Sequence, residues 1–150
     1  MTPRPMHRQD RQLPQEEAWA LLTQGTYGVL SVVGDEGWPY AVPMHYTVMD
    51  GQIYLHCAKT GYKLDAIARD DRVCFTVTLR EELVQDHATS LYESVVVLGR
   101  AALVTDQATH QAALAHLVDA LGRVSPDLRD QYIARRGQNT AVLVIRPVHL

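Results

Sequence analysis

Two histidines, His45 and His56, one lysine, Lys63, and two cysteines, Cys57 and Cys74, are the side chains of this 150-residue protein best suited to chemistry. Imidazole carries protons near neutral pH or ligates metals. A thiol acts as nucleophile or ligand once it is deprotonated. A lysine just after a turn suits a phosphate, more so when a helix starts beside it. In "IYLHCAKTGYK" all three types fall within eleven residues. No third His, Asp or Glu falls at a spacing that would complete a metal site with His45 and His56, so no metal is expected. No GxxxxGK[ST], GxGxxG, GxSxG or HExxH occurs, which sets aside a P-loop, a dinucleotide fingerprint, a hydrolase elbow and a zinc protease helix. Arg135 and Arg136 read as cations at a helix C-terminus, favoured there by the dipole.

These residues must be positioned by strands. "TYGVLSVV" is branched and apolar and closes on the turn "GDEG"; "PYAVPMHYTV" runs to Asp50-Gly51, the strongest hairpin signal in the chain. "QIYLHCA" returns as its partner. With a two-residue type I′ loop, opposed residue numbers sum to 101. Val48 then faces Ile53, Tyr46 faces Leu55 and Met44 faces Cys57 on one apolar side. Thr47 faces Tyr54, His45 faces His56 and Pro43 faces Ala58 on the other, non-core side. Cys57 is thereby a small buried hydrophobe, and Cys74 reads the same way. Pro43 has no N–H to donate, so its strand should be open at that point, with backbone groups free for a planar ligand.

Elsewhere, Pro14, Glu16, Glu17 and Gly25 bound a helix around "AWALLTQ". "YKLDAIARD" reads as a short helix, "RVCFTVTL" as a strand, "REELVQDHAT" as a polar loop, and "ESVVVLGRAALV" as a long strand with Gly99 marking a bulge. Asp106 caps a helix through Leu121, Ser125 caps "SPDLRDQYIARR", and "TAVLVIRPV" is a last strand. Six strands joined mainly by hairpins, with short helices between, imply a mainly β protein built on an antiparallel barrel. The chain is expected to form a single domain over residues 1–150, with residues 1–12 as an N-terminal arm.

With 47% hydrophobic and 21% charged residues, the composition is that of a soluble globular protein. A net charge of -3 without any basic run argues against nucleic-acid or membrane partners. The polar N-terminus and the two unpaired cysteines point to the cytoplasm.

The ordered set "TYGVLSVV", "PYAVPMHY", "IYLHCAKTGYKLDAI", "RVCFTV" and "YESVVVLGRA" resembles the pyridoxamine 5′-phosphate oxidase-like flavin-binding split barrels, and within them the nitroimidazole-resistance branch. The resemblance covers roughly residues 8 to 105. It implies a six-stranded FMN-binding split barrel, homodimeric, with FMN at the subunit interface. The strand Val42, Pro43, Met44, His45, Tyr46 would lie along the isoalloxazine ring through its backbone. The strand end His56, Cys57, Ala58, with Lys63, would hold the ribityl phosphate, and Ser94 would reach the flavin of the other subunit. His56 matches the branch's histidine near the substrate position, with His45 opposite, giving both a catalytic role. "TAVLVIRPVHL" lacks the C-terminal arginine and histidine pattern with which pyridoxamine phosphate oxidases grip their substrate. The expected activity is therefore FMN-dependent reduction of a small electron-poor molecule such as a nitroimidazole. The alternative is a flavin- or haem-binding protein without rapid turnover.

Overall fold

The structure, a computed structural model, describes residues 4–84, 89–122 and 124–150. Six strands, β1 (Tyr27–Val33), β2 (Pro39–Met49), β3 (Gln52–Ala58), β4 (Arg72–Val84), β5 (Thr89–Leu103) and β6 (Thr140–His149), close into an antiparallel barrel in the order β1-β2-β3-β6-β5-β4. Among the described residues four α-helices accompany it: α1 (Gln15–Gln24), α2 (Tyr62–Arg69), α3 (Gln107–Ala120) and α4 (Pro126–Arg136). No helix among the described residues is long and apolar enough to cross a membrane. Residues 4–13 hold only a short 3-10 turn, Gln9–Arg11, and are exposed throughout.

The β2–β3 hairpin turns as the sequence dictates. Asp50 and Gly51 both have positive φ, 52° and 69°, as a type I′ loop requires. Its register is Met49–Gln52, Val48–Ile53, Thr47–Tyr54 and Tyr46–Leu55. The Gly99 irregularity is also present, as a register shift between Leu98 and Gly99 where β5 pairs with β6. Asp106 caps α3 by accepting the Thr109 N–H at 2.7 Å, and Ser125 caps α4 by accepting the Leu128 N–H at 3.3 Å.

Three expectations are corrected. The ladder ends at Tyr46–Leu55, so His45 does not pair with His56, nor Met44 with Cys57. Instead His45 pairs with Tyr27 and Met44 with Gly28 on β1, while His56 pairs with Val142 and Cys57 with Ala141 on β6. The two strands part because each is held by a different neighbour. Second, "REELVQDHAT" is largely strand: Arg80 to Val84 pair with Glu93 to Thr89 in a ribbon beyond the barrel. Its polar residues are compatible with a solvated ribbon, which hid it; residues 85–88 lie outside the described ones. Third, the outer face of β3 is not solvated where Tyr54 stands. Tyr54, Val142 and Val144 pack beneath Ala113, Leu114 and Leu117 of α3 as a second core. This explains why Ala141 to Ile145 form an unbroken buried run, with barrel on one side and helix on the other.

The main core fills the barrel, with Leu30, Tyr46, Ile53, Leu55, Phe75, Val97 and Leu143 among its most buried side chains. Leu22 of α1 joins it at one end, Ala66 and Ile67 of α2 at another point of the wall. Tyr46 is held by a hydrogen bond from its hydroxyl to the Leu22 carbonyl at 2.6 Å. Burial pushes that phenol's pKa up to about 12, so it remains a donor. Gly25 is obligatory here, because a Cβ would stand 2.3 Å from the Tyr46 oxygen. Tyr46→Phe should cost about 1–2 kcal/mol, since it strands a buried carbonyl; the shift in urea midpoint measures it, and an unchanged midpoint would mean that water replaces the phenol.

Candidate functional site

β2 has two halves with different surroundings. Tyr46 donates its N–H to Thr26 on the β1 side at 3.0 Å. Backbone groups alternate along a strand, so those of Ala41, Pro43 and His45 point the opposite way. Among the described residues no strand pairs with that side of β2 between Pro39 and His45. Pro43 falls on the open side, where its missing N–H forfeits no ladder bond. The barrel is thus split between this edge and the end of β3, where His56 and Ala58 sit.

Side chains on the two lips differ by parity. Met44 and Tyr46 are buried inside the barrel and Val42 packs against that core, so their side chains are turned away from a ligand. Pro43 and His45 point outward and are exposed. The His45 Nδ1 lies 3.2 Å from the Thr26 carbonyl oxygen, and the Tyr27 ring meets the imidazole edge-on at 4.8 Å. With Nδ1–H donating to that carbonyl, Nε2 is left as the free acceptor. Tyr27 was missed by sequence reasoning; it precedes the apolar run of β1, and only the cross-strand register places it beside His45.

His56 is half-buried, lining a narrow apolar cleft with Leu114, Leu117, Val118 and Leu121 of the α3 segment and Tyr132 of α4. Burial lowers its pKa below the ordinary 6.5, and the charge of His45 acts in the same direction. The two rings therefore sense one another across the split although they are not a ladder pair. Because the folded-state value is the lower one, His56 favours folding above pH 6.5, and that contribution declines as pH falls below it. Its ring resonances should titrate below 6.5, and His45→Ala should move the midpoint upward; an unmoved midpoint would break the electrostatic link.

The far end of β3 and the start of α2 carry the residues that the sequence suggested for a phosphate. Cys57 is partly buried against the barrel core, and burial raises its thiol pKa while the nearby Lys63 charge lowers it. Burial is the larger effect, so the thiol remains protonated at neutral pH. Lys63 stands in the first turn of α2, which follows β3 after a three-residue turn. Gly61 precedes α2 with φ 137°, a conformation suited to glycine, and no side chain caps the helix start. Tyr62 braces the segment: its hydroxyl accepts the Asp35 N–H at 2.7 Å, and its ring meets Tyr40 edge-on at 4.7 Å.

Ser94 stands apart from this group. It pairs with Thr78 on the outer face of the barrel and is exposed there, with β1 and β4 between it and β2. On that face Pro43, Val29, Thr76 and Val96 form one cross-strand row, and Ala41, Ser31, Cys74 and Leu98 another. His45, Tyr27 and Ser94 border them. None of these side chains is an Asp, Glu, Lys or Arg. Cys57 and Cys74 are both free thiols. Among the described residues no group of three His, Cys, Asp or Glu side chains could hold a metal ion.

A family model described as pyridoxamine 5′-phosphate oxidase matches residues 14–150. The chain belongs to this family. No curated protein matches it in sequence. Among solved structures, a conserved hypothetical protein from Mycobacterium tuberculosis is similar with a TM-score of 0.80 and 20% identity, over 97% of this chain and 87% of that one. A candidate 5-nitroimidazole antibiotic resistance protein from Bacteroides thetaiotaomicron gives a TM-score of 0.76 and 22% identity, over 91% and 81%. An FAD-binding protein from Mesorhizobium loti gives 0.67 and 22%, over 91% of each. These likenesses extend the family's six-stranded split-barrel fold to the whole of β1 to β6.

The donor set of the split fits a flavin. An unpaired backbone edge matches the alternating donors and acceptors of an isoalloxazine rim, and a cation at an uncapped helix start matches a phosphate.

Proposed function

We propose that this protein is an FMN-dependent oxidoreductase that reduces a small electron-poor substrate such as a nitroimidazole. The observation that carries the reading is the open side of β2 between Pro39 and His45, across the split from the end of β3. The nitroimidazole-resistance assignment of one similar structure, and the flavin bound by another, favour the same reading.

In this scheme the backbone of Val42 to Tyr46 supports the ring, and Ala41, Pro43 and His45 supply its open hydrogen-bonding edge. Lys63 neutralises the phosphate, aided by the strand end His56 to Ala58. The flavin supplies hydride or electron transfer when bound. His56, neutral at pH 7, orients the substrate by hydrogen bonding, and the free Nε2 of His45 accepts a hydrogen bond at the same lip. Two copies pack through the outer face of β2, β1, β4 and β5 around the uncharged row Pro43, Val29, Thr76 and Val96, which brings Ser94 of one to the split of the other. The reading also places the protein in the cytoplasm, where free thiols persist.

The test is spectroscopic. Purified protein should show a flavin double band, and the extracted cofactor should have the mass of FMN rather than FAD. After anaerobic reduction, adding a nitroimidazole should reoxidise it faster than buffer alone. Colourless protein that rebinds no flavin would overturn the proposal. A Soret band would instead support the haem reading, and a flavin that only buffer reoxidises would support a passive binder.

A further inference from the structure

The apolar stripe of α3 runs past the second core that it covers. Leu114, Leu117, Val118 and Leu121 recur at helical spacing. The first three are buried, but Leu121, the C-terminal cap residue of α3, is 56% exposed. A stripe that served packing alone would end where the core ends. Here its last turn instead walls a cleft together with Tyr132 of α4 and His56 of β3. None of the residues lining that cleft is an Asp, Glu, Lys or Arg. Thr140 lines it too, with its polar atoms already engaged. Its hydroxyl donates to the Arg136 carbonyl at 2.9 Å, and its carbonyl lies 2.8 Å from His110 Nε2. His56 differs. Among the described residues its imidazole has no hydrogen-bond partner, and no buried polar side-chain atom is left unsatisfied, so its nitrogens stand open to a ligand.

We propose that this cleft is a subsite for a neutral apolar substituent of the substrate, with His56 hydrogen-bonding the polar ring that carries it. The inference rests on the functional reading above and narrows its substrate class. The position of His56 makes the connection. The β2–β3 ladder ends at Tyr46–Leu55, so His56 stands on the open lip of the split, on the outer side opposite the buried Leu55. A molecule held by its ring meets the split at one end and the leucines of α3 at the other. A single hydrogen-bonding group among apolar walls fits a ligand with one polar part and one apolar part. Gly137 also lines the cleft, and its φ of -56° and ψ of -38° are open to any residue. A Cβ there would stand 3.5 Å from both Ile133 and Leu114, an ordinary contact. A larger side chain at 137 would therefore fill the space rather than break the fold. Arg136 lies over the Tyr132 ring, 5.7 Å from its centre, and sets a positive charge against any cationic substituent.

Titration of the purified, oxidised protein, followed through the ring resonances of His56, tests this without any turnover. A 1-butyl-nitroimidazole should bind about tenfold or more tightly than its 1-methyl counterpart, since each buried methylene contributes up to about fourfold. The 1-(4-aminobutyl) compound should lose that gain. Gly137→Leu, which fills the cleft, and Leu121→Asn, which makes its wall polar, should each remove most of the butyl gain and spare the methyl compound. Leu128→Asn, on an exposed part of α4 that does not line the cleft, should keep the gain. All three variants should keep the melting temperature, because none removes a core side chain. Phenol and 4-butylphenol form a second pair that carries no nitro group. A butyl gain with the phenols, but no binding of either nitroimidazole, would remove the assigned substrate and leave the subsite standing. No butyl gain in either pair would overturn the subsite, as would a gain that survives both Gly137→Leu and Leu121→Asn.

Discussion

Phe75→Ala should lower the free energy of unfolding by about 3–5 kcal/mol, enough to bring a domain of ordinary stability, about 5–15 kcal/mol, close to its limit. Phe75 is the only phenylalanine in the chain and is fully buried in the barrel. Its ring meets Tyr46 edge-to-face at 5.1 Å and 72°. It also lies directly on the backbone of Gly28, where a Cβ would come within 2.5 Å of a ring carbon. The void left by alanine would be walled by closed sheet, which cannot collapse onto it as a loop could. Urea denaturation measures the loss, and a fall below about 1 kcal/mol would mean that the barrel repacks. The same contact predicts coupling. Gly28→Ala alone should be destabilising, and in a Phe75→Leu background it should be tolerated better than the sum of the two changes.

Lys63→Ala should weaken FMN binding by about 1–3 kcal/mol, roughly 5- to 150-fold. Lys63 is only half-buried, so its charge is placed beside the end of β3 without being sealed from water. Binding that depends on it should weaken as salt rises. Quenching of flavin fluorescence on titration gives the affinity. Lys63→Arg, which keeps the charge, should retain most of it. Unchanged affinity in the alanine variant at low salt would remove Lys63 from the phosphate site. Fold stability should hardly change, since the side chain contributes no core contact.

Much of this was legible in the sequence, for local reasons. Asp50-Gly51 has a backbone conformation that few other dipeptides accept, so the hairpin register follows from two residues. Asp106 and Ser125 cap helices through bonds only three residues long. Pro43 announces the open strand side because a missing donor is a property of the residue itself. What the sequence hid is non-local. The parting of β2 from β3 above Tyr46 is set by β1 and β6, which are more than ten and eighty residues away respectively. The placement of α3 over Tyr54 and of Tyr132 near His56 depends on packing between distant elements. Between Thr78, paired with Ser94, and Arg80, paired with Glu93, β4 carries one extra residue with no glycine or proline to mark it.

Pro43 has one more consequence. A strand with a free side invites a strand from another molecule to add to it, the first step towards aggregation. Here the free stretch is short, and its middle residue cannot donate. A small planar ligand can use the groups that remain, but an intruding β-strand would meet a gap in the ladder at every attempt. The residue that leaves the barrel open to a cofactor thus also guards the opening against misassembly whenever the cofactor is away.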